Sequence, residues 1–458
     1  MSPHNTPGLD SLGKVHFIGI GGVGMSAVAR IMVARGVPVS GSDAKDLPVM
    51  ADLAAAGARI AVGYAPGNLG DAQTVVAGSA IREDNPELAA ARQAGLPVLH
   101  RSQALAATMG DDVVVTVAGT HGKSTTTSMI TVLLRAAGLD PSFAVGANIP
   151  SLGVNAAHGA SGIFVAEADE SDGSFLNYRP RIAVVTNVEP DHLDYYGTAE
   201  AVYQSFHRFT GLLPADGLLV ACADDPGAQA LAERTKARGN TRVVLYGTGE
   251  ASDIRLDDAG PGQVAVATGG ARYSLSLQVP GRHNALNAAA AFAVALELGV
   301  DPAAAAEGLA SFSGASRRFE LKGEERGVRV FDDYAHHPTE VRAALTAARS
   351  VAGGNKVHVL FQPHLFSRTR EFAAEFADAL NLADTALVLD IYPAREDPIP
   401  GVTSQLIADH LTEGGRLVSA EDAVETLAGV AGEGDVVLTV GAGDVTAYGP
   451  RIVEALRA

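Results

Sequence analysis

Short hydrophobic runs alternate with longer stretches of helical spacing along most of the chain. The runs at 14–20, 74–77 and 97–99 predict strands, and residues 23–35 have the spacing of a helix that ends at Gly36. Glycine is common directly after a helix because it tolerates the left-handed conformation there. This β–α alternation predicts a parallel sheet with helices on both faces.

A second series of the same kind begins at Asp112 with the continuously hydrophobic stretch VVVTVAG, which is typical of a buried parallel strand. A glycine-rich turn and a helix to about Ala137 follow. Residues 251–279 instead alternate in short, glycine-punctuated runs that predict an antiparallel ribbon, and an alanine-rich helix is expected from Asn284 to about Leu298. Further strands are predicted at 163–167, 182–187, 217–221 and 242–246.

The last part of the chain repeats the rhythm after a Ser-Gly-Ala-Ser segment at 313–316. Strands are predicted at 328–332, 356–361, 385–391, 416–418 and 435–440. At roughly 150 residues per domain, 458 residues suggest about three domains. We therefore expect an α/β protein with a Rossmann-like N-terminal domain (1–108), a central P-loop ATP-binding α/β domain (109–313) and a C-terminal Rossmann-like domain (314–458).

Composition excludes several classes of partner. The formal net charge of −18 argues against binding nucleic-acid backbones or anionic membranes, and 5% aromatic residues argue against base stacking. The single cysteine, Cys222, lies in a predicted strand and is expected to be buried and inert. The N-terminus lacks a signal-peptide pattern, and no run approaches the ~18 apolar residues of a membrane span, so a cytoplasmic location is expected.

The first glycine-rich turn has the pattern Gly-x-Gly-x-x-Gly between a predicted strand and a predicted helix. Such glycines let the backbone approach a diphosphate at the helix N-terminus, and an acid near the end of the next strand binds ribose hydroxyls. The ligand could equally be NAD, FAD or a UDP-sugar, and a turn required only for packing is the alternative. The candidate residues are Gly19, Gly21, Gly22, Val23, Gly24 and Asp43.

The second glycine-rich turn follows the buried strand and precedes a helix. Its backbone N–H groups can bind phosphates, Lys123 can neutralise β- and γ-oxygens, and the Ser124 hydroxyl can coordinate Mg²⁺. The spacing departs from the common P-loop, since Val117 stands six positions before the lysine. A dehydrogenase needs only the first turn and an ATPase only the second, whereas an enzyme that phosphorylates a nucleotide-linked substrate needs both.

Seven segments together resemble the Mur ligase family, in order and over essentially the whole chain. They are HFIGIGGVGMSAVAR (16–30), GTHGKSTTT (119–127), EADESDGSF (167–175), TNVEPDHLDYYG (186–197), GRHNALNAAAA (281–291), SRRFE (316–320) and DDYAHHPTE (332–340). The resemblance implies an ATP-dependent, amide-bond-forming ligase of peptidoglycan synthesis. Its first domain would bind a UDP-sugar and not NAD.

Within the family, the first and last of these segments most resemble members that join L-alanine to the lactyl carboxylate of UDP-N-acetylmuramate. The resemblance implies an acyl-phosphate intermediate and release of ADP and phosphate. The expected partners are UDP-N-acetylmuramate, L-alanine and ATP, with no nucleic acid and no membrane insertion. Mg²⁺ is the expected cofactor, as two ions.

The resemblance assigns residues to each substrate. Lys123, Glu167, His192 and Arg318 would be catalytic, and Ser124, Glu167 and His192 would hold the metal. The amino acid would lie near His337, His364 and Arg368, although Leu365 stands where many members carry arginine. The ATP contacts would be Gly119, Thr120, His121, Gly122, Lys123, Ser124, Thr125, Asn284, Asn287, Arg318 and Asp333, and Ser79 would join the first glycine turn and Asp43 at the UDP-sugar.

The positions and types of these residues, taken alone, support only some of the roles that the resemblance implies. Glu167 and His192 follow hydrophobic strands, where α/β sheets place ligands, but a lone histidine is more often a hydrogen-bonded structural residue. The asparagine pair could be a solvated helix stripe, and Arg317 a surface cation. Three rival functions stay open: a ligase that reattaches a recycled murein peptide, an NAD-dependent oxidoreductase, and a binding protein with a decayed ligase site.

Overall fold

The computed structural model describes residues 7–260, 263–394, 396–412 and 414–457. They divide into two compact units. The first contains the chain up to Ser276 together with Leu286–Phe312, and the second contains Leu277–Ala285 together with the chain from Ser313 onward. The described strands form three sheets, two in the first unit and one in the second. The domain boundaries at 108 and 313 stay predictions.

The first sheet has the order β3-β2-β1-β4-β5, and all its neighbouring strands are parallel, as the β–α rhythm predicted. This is the order of a Rossmann-type half, in which the strand sequence reverses beside β1. Its elements are β1 Val15–Ile18, α1 Val23–Ala34, β2 Val39–Asp43, α2 Pro48–Ala55, β3 Arg59–Val62, β4 Thr74–Ala77, α3 Pro86–Gln93, β5 Val98–His100 and α4 Arg101–Met109.

The second sheet has ten described strands in the order β15-β14-β13-β12-β11-β10-β6-β9-β7-β8. Its middle is parallel, and the ribbon β13-β14-β15 at one edge is antiparallel, as predicted. The antiparallel strand β8 at the other edge was not predicted. The strands are β6 Val113–Ala118, β7 Ser142–Ile149, β8 Val154–Ala157, β9 Ile163–Glu167, β10 Ile182–Val185, β11 Leu218–Cys222, β12 Arg242–Gly247, β13 Ile254–Gly260, β14 Gln263–Thr268 and β15 Ala271–Leu275.

The helices that follow these strands include α5, which begins directly after the glycine-rich turn, and the long α9. They are α5 Lys123–Ala136, α6 Leu193–Tyr196, α7 Ala199–Thr210, α8 Pro226–Arg238, α9 Arg282–Glu297 and α10 Pro302–Leu309. Cys222 ends a buried strand, so its predicted burial is confirmed, and burial raises the pKa of its thiol to about 11. No helix among the described residues is long and apolar enough to cross a bilayer.

The third sheet has the order β16-β17-β21-β18-β19-β20, parallel except for β16, an antiparallel edge strand that was not predicted. Its two faces form separate cores: Val436, Leu438 and Val440 of β21 pack into one and Val437 into the other. The elements are β16 Glu320–Glu325, β17 Val328–Asp333, α11 Pro338–Ala352, β18 Val357–Phe361, α12 Phe366–Leu380, β19 Thr385–Val388, α13 Gln405–Ala408, β20 Gly415–Leu417, α14 Ala420–Val430, β21 Val436–Val440 and α15 Tyr448–Arg457.

A fully buried carboxylate supports the first sheet. Glu87 at the start of α3 accepts hydrogen bonds from Ser42 on β2, from Asn68 and from the Ala65 backbone, and lies 3.2 Å from His16 Nε2 on β1. Burial alone would raise the pKa of Glu87, but these hydrogen bonds outweigh it and lower the pKa. The network therefore joins β1, β2 and the loop with Ala65 and Asn68 to the first turn of α3.

We predict that Glu87→Ala lowers the free energy of unfolding by about 3 kcal/mol, because several buried donors lose their acceptor. Chemical denaturation monitored by circular dichroism measures this. Because the folded pKa is lowered, the wild-type advantage should be complete above the ordinary glutamate pKa and decline as the pH falls through the folded value. Glu83→Ala is the control, since Glu83 is exposed and pairs with Arg92 at the surface. Equal stability of Glu87→Ala and Glu83→Ala would contradict the role given to the network.

Candidate active site

The predicted catalytic segments meet at the carboxyl edge of three adjacent strands in the second sheet. β6 lies between β9 and β10, with Val117 opposite Glu167 and Ala118 opposite Val185. The glycine-rich turn leaves β6, Glu167 ends β9, and His192 follows β10 at a distance of a few residues. The structure therefore brings these sequence-predicted segments together at the edge where α/β sheets bind ligands.

The turn between β6 and α5, which we call the phosphate loop (residues 119–124), requires glycine at two positions. Gly119 has φ of 139°, and a Cβ there would lie 2.0 Å from Thr186 Oγ1. Gly122 caps α5 with φ of 83°, and a Cβ there would lie 2.8 Å from Asn287 Oδ1. Side chains at these two positions would therefore strain the backbone and clash with the neighbouring Thr186 and Asn287 side chains.

Two residues after β10 hold the phosphate loop and were not singled out from the sequence. Asn187 Oδ1 accepts a hydrogen bond from the His121 N–H at 2.8 Å, and its amide donates to the His121 carbonyl at 3.0 Å. Thr186 Oγ1 donates to the same carbonyl. No local signal marked them, because their role depends on the pairing of β10 with β6 in the sheet. Thr120, whose hydroxyl accepts from the Glu189 N–H at 2.9 Å, completes the attachment.

The ammonium group of Lys123 is held by oxygen atoms on three sides. Nζ donates to the Gly119 carbonyl at 2.6 Å and the Thr120 carbonyl at 3.0 Å, and lies 2.8 Å from Glu170 Oε2. Glu170 is buried, with 2% of its side chain exposed, and is the most important residue that the sequence reasoning missed. The acidic segment EADESD was noticed, but only Glu167 was selected from it.

Burial and the neighbouring charges have opposite effects on the pKa values of Lys123 and Glu170. Burial raises the pKa of Glu170 to about 7, with Lys123 opposing the rise. For Lys123, burial would lower the pKa, but Glu170, Asp169 and Glu167 outweigh it, and the pKa is raised. The lysine therefore stays charged in a buried position, where an anion is its natural ligand.

The predicted metal ligands separate into two neighbouring groups. Ser124 Oγ donates to Glu167 Oε1 at 3.0 Å, and the Gly146 N–H donates to Glu167 Oε2 at 2.7 Å. His192 Nε2 lies 3.7 Å from Glu170 Oε1 and 3.6 Å from Asp191 Oδ2. His192 also has a left-handed backbone with φ of 54°, which is uncommon outside glycine and often found at functional sites.

The first glycine turn lies at the carboxyl edge of the first sheet. The Gly21 N–H donates to Asp43 Oδ2 at 3.0 Å, so the acid supports the turn directly. A Cβ on Gly24 would lie 2.6 Å from Arg101 Nη1, and Gly22 caps α1. Val23, at the start of α1, is exposed, and Gly19 has a left-handed φ of 80°. Ser79 Oγ, just beyond β4, donates to Asp172 Oδ2 at 2.8 Å.

The asparagines of α9 do share one helix and are buried, so a solvated stripe is excluded. Asn284 Nδ2 donates to the Pro280 carbonyl at 2.7 Å, while Asn287 lies against Gly122 of the phosphate loop. Thr125, in the first turn of α5, is buried. Asn287 is thus placed near the backbone of the phosphate loop.

In the second unit, Arg318 and Asp333 lie beside Tyr334. Arg318 Cζ is 5.2 Å from the Tyr334 ring centre, and Asp333 accepts from the Phe319 and Ala335 N–H groups at 2.8 Å. Burial raises the pKa of Asp333 to about 6, which Arg318 opposes. The view of Arg317 as a possible surface cation is wrong: its Nε lies 3.3 Å from buried Asp332, and its Nη2 donates to the Gly441 carbonyl.

The residues assigned to the amino acid lie around the starts of α11 and α12. His337 caps α11: its Nδ1 accepts from the Thr339 N–H, and its backbone N–H donates to Glu340. His364 stacks on Tyr392 with 5.9 Å between ring centres, and Arg368 is buried in the first turn of α12. Leu365 between them is buried and has φ of 71°. An unpredicted left-handed backbone therefore accompanies the departure at Leu365.

Three family profiles match successive parts of the chain. Residues 14–112 match the Mur ligase family catalytic domain, residues 117–295 match the Mur ligase middle domain, and residues 317–443 match the Mur ligase glutamate ligase domain.

Relatives and solved structures match over nearly the full length. A UDP-N-acetylmuramate–L-alanine ligase of Arthrobacter sp. is 81% identical over 450 residues, covering 98% of this chain and 96% of that protein. The crystal structure of a UDP-N-acetylmuramate–alanine ligase from Thermotoga maritima has a TM-score of 0.79 and 32% identity, covering 97% of this chain and 99% of the other. A murein peptide ligase from Psychrobacter arcticus has a TM-score of 0.71 and 27% identity, covering 97% and 99%.

We predict that Glu170→Gln increases the rise in melting temperature that a magnesium–ATP analogue produces. Without ligand, the variant leaves the buried Lys123 ammonium without its charge partner, which costs about 3 kcal/mol, and bound phosphates replace that partner. Differential scanning fluorimetry with and without the analogue measures both values. Asp216→Asn is the matched control, since this carboxylate pairs with Arg181 at the surface. The same ligand-induced rise in Glu170→Gln and wild type would show that Glu170 does not compete with phosphate.

Proposed function

Because the chain belongs to the Mur ligase family, we propose that it joins L-alanine to the lactyl carboxylate of UDP-N-acetylmuramate and converts ATP to ADP and phosphate. This reaction makes a precursor of peptidoglycan. The observation that carries the proposal is the buried Lys123 in a glycine-rich loop at the carboxyl edge of a parallel sheet. The choice of substrates rests on the relatives at 79% and 81% identity, which are named UDP-N-acetylmuramate–L-alanine ligase.

The rival functions are less well supported. A murein peptide ligase shares the fold at 27% identity, whereas curated relatives at 79% and 81% identity are named for L-alanine. An NAD-dependent oxidoreductase would leave the phosphate loop and its lysine without a purpose. A decayed site would not be expected to keep Lys123, Glu167 and His192 in ordered contacts.

The chemistry follows from the weakness of a carboxylate as an acylating agent. We propose that a lactyl carboxylate oxygen attacks the γ-phosphorus of ATP, the bond to the β–γ bridging oxygen breaks, and ADP leaves. The amine of L-alanine, after losing a proton, then attacks the carbonyl carbon of the acyl phosphate. The tetrahedral intermediate expels inorganic phosphate and leaves the amide.

Charge neutralisation is what the protein contributes to the first step. Both the carboxylate and the triphosphate are anions, so their approach is opposed unless cations lie between them. Lys123 and the N–H groups at the start of α5 supply fixed positive charge in a place where little water competes. Asn287, beside Gly122, can fix the loop around the phosphates.

The site also fits Mg²⁺, which prefers hard oxygen ligands in octahedral geometry. Two neighbouring ligands at about 2.1 Å from the ion lie about 3.0 Å apart, and Ser124 Oγ and Glu167 Oε1 are separated by 3.0 Å. We propose that these two residues hold magnesium. Family membership implies that Glu167 with His192 would hold a second ion, and His192 lies beside the carboxylates of Glu170 and Asp191. Bound magnesium would neutralise phosphate charge; holding and orienting it is the task of these side chains.

The first sheet is proposed to bind the sugar nucleotide. Its glycine turn lies at the start of α1, where backbone N–H groups can receive a diphosphate, and Asp43 fixes the turn. Ser79 lies at the same carboxyl edge, beyond β4. Arg318 and Asp333 keep the nucleotide-contact roles that family membership implies, and His337, His364 and Arg368 keep those for the amino acid.

We predict that Lys123→Ala lowers turnover by about a hundredfold or more, because several kcal/mol of transition-state stabilisation are lost. The measurement is phosphate release with each substrate omitted in turn. In the wild type, sustained release should require UDP-N-acetylmuramate, L-alanine and ATP together. Lys236→Ala, on an exposed position of α8, is the matched control. Wild-type turnover in Lys123→Ala would refute the assignment.

The acceptor distinguishes this function from peptide recycling. We expect free L-alanine to support a kcat/KM about a hundredfold or more above that of a murein tripeptide, because an acceptor pocket shaped for a small amino acid excludes the longer chain. Mass spectrometry of the product with both acceptors in one reaction measures the preference. A product that contains mainly the tripeptide would assign the chain to the recycling activity.

A further inference from the structure

One short loop, residues 168–174, has carboxylates in contact with both predicted nucleotide sites. Glu170 lies 2.8 Å from Lys123 Nζ in the phosphate loop. Two residues later, Asp172 Oδ2 accepts a hydrogen bond from Ser79 Oγ at 2.8 Å, at the carboxyl edge of the first sheet. Both contacts lie within the first compact unit.

The contact of Asp172 is part of an ordered chain of donors. His100 Nδ1 accepts from the Ser102 N–H, so the proton of the neutral ring lies on Nε2, which is 3.0 Å from Ser79 Oγ. Burial lowers the pKa of His100, with Asp172 opposing, which favours the neutral ring. His100 can therefore donate to Ser79, and Ser79 to Asp172.

The two carboxylates are rigidly connected. The Gly173 N–H donates to the Glu170 carbonyl at 2.9 Å, and the Ser174 N–H donates to Asp172 Oδ1 at 3.0 Å. The Tyr196 hydroxyl also donates to the Glu170 carbonyl. Gly173, at φ of 68°, has no room for a side chain because a Cβ would lie 2.9 Å from the Tyr195 hydroxyl. We therefore expect a displacement at Asp172 to move Glu170.

Each carboxylate occupies a donor that a substrate anion needs. Glu170 takes the ammonium group that is proposed to bind ATP phosphates, and Asp172 takes the hydroxyl proposed for the sugar nucleotide. A nucleotide that displaces one carboxylate moves the loop and weakens the competition at the other site. The expected sign of the coupling between the two nucleotides is therefore positive, and by linkage it is reciprocal.

We propose that Asp172 is a positioning residue, through which the sugar-nucleotide edge of the first sheet and the phosphate loop of the second sheet are energetically coupled. The inference rests on the proposed function, since it takes UDP-N-acetylmuramate as the ligand at Ser79. It assigns Asp172 no contact with reacting atoms. Asp172 acts through Ser79 on one side and through Glu170 on the other.

The test is the affinity of the full-length protein for magnesium adenylyl imidodiphosphate, measured by calorimetry with and without saturating UDP-N-acetylmuramate. The ratio of the two dissociation constants is the coupling factor. We expect a factor of about fivefold or more in the wild type and below about twofold in Asp172→Asn. Asp216→Asn, a surface carboxylate paired with Arg181, should keep the wild-type factor.

The coupling factor separates this role from a merely structural one. If Asp172 only tied the two sheets together, Asp172→Asn would lower the melting temperature or both affinities while the ratio stayed at the wild-type value, and the proposal would be overturned. A wild-type ratio near one, with both nucleotides bound, would overturn it and leave the proposed function intact. A wild type that does not bind UDP-N-acetylmuramate would overturn the proposed function as well.

Discussion

A buried ammonium group requires an anion, and the catalytic edge of the second sheet is arranged around this requirement. Lys123 lies on a turn whose backbone only glycine can form, and oxygen atoms of Gly119, Thr120 and Glu170 surround it. Without a ligand, Glu170 supplies the negative charge. In the proposed reaction, phosphate would take its place, and the same positive charge would then lower the repulsion between a triphosphate and an attacking carboxylate. Binding and catalysis therefore depend on one lysine.

The topology of the two sheets in the first unit explains which residues lie near this lysine. Parallel strands direct their carboxyl ends to one edge of the sheet. Glu167 at the end of β9, the phosphate loop after β6 and the segment with His192 after β10 therefore lie at the same edge. Asp172, in the loop after β9, accepts a hydrogen bond from Ser79, which lies beyond β4 of the first sheet. The two proposed anion sites, which lie far apart in sequence, are both contacted by a segment of seven residues, 168–174. The loop provides a physical route for the two nucleotides to influence one another.

The hydrophobic pattern was sufficient to predict most of the strands, though not β3 or β7, and both glycine turns, while Glu167 and His192 were assigned through the family resemblance. The sequence pattern could not predict contacts that depend on the order of the strands in the sheet. Thr186 and Asn187 support the phosphate loop only because β10 lies next to β6, and Glu170 was hidden in an acidic segment that looks solvated until its burial is known. Arg317 was misjudged for the same reason, since its partner Asp332 is buried fifteen residues away. The edge strands β8 and β16 were not predicted because their sequences lack a strong hydrophobic pattern.

In the proposed mechanism, a phosphoryl group is transferred to a carboxylate before the amide forms. The direct measurement uses UDP-N-acetylmuramate with ¹⁸O in the lactyl carboxylate, together with ATP and L-alanine, and mass spectrometry of the released phosphate. An acyl-phosphate route predicts one ¹⁸O atom in each phosphate, because the carboxylate oxygen that attacks phosphorus leaves with it. Phosphate free of ¹⁸O, formed at the same rate as the amide product, would contradict the account.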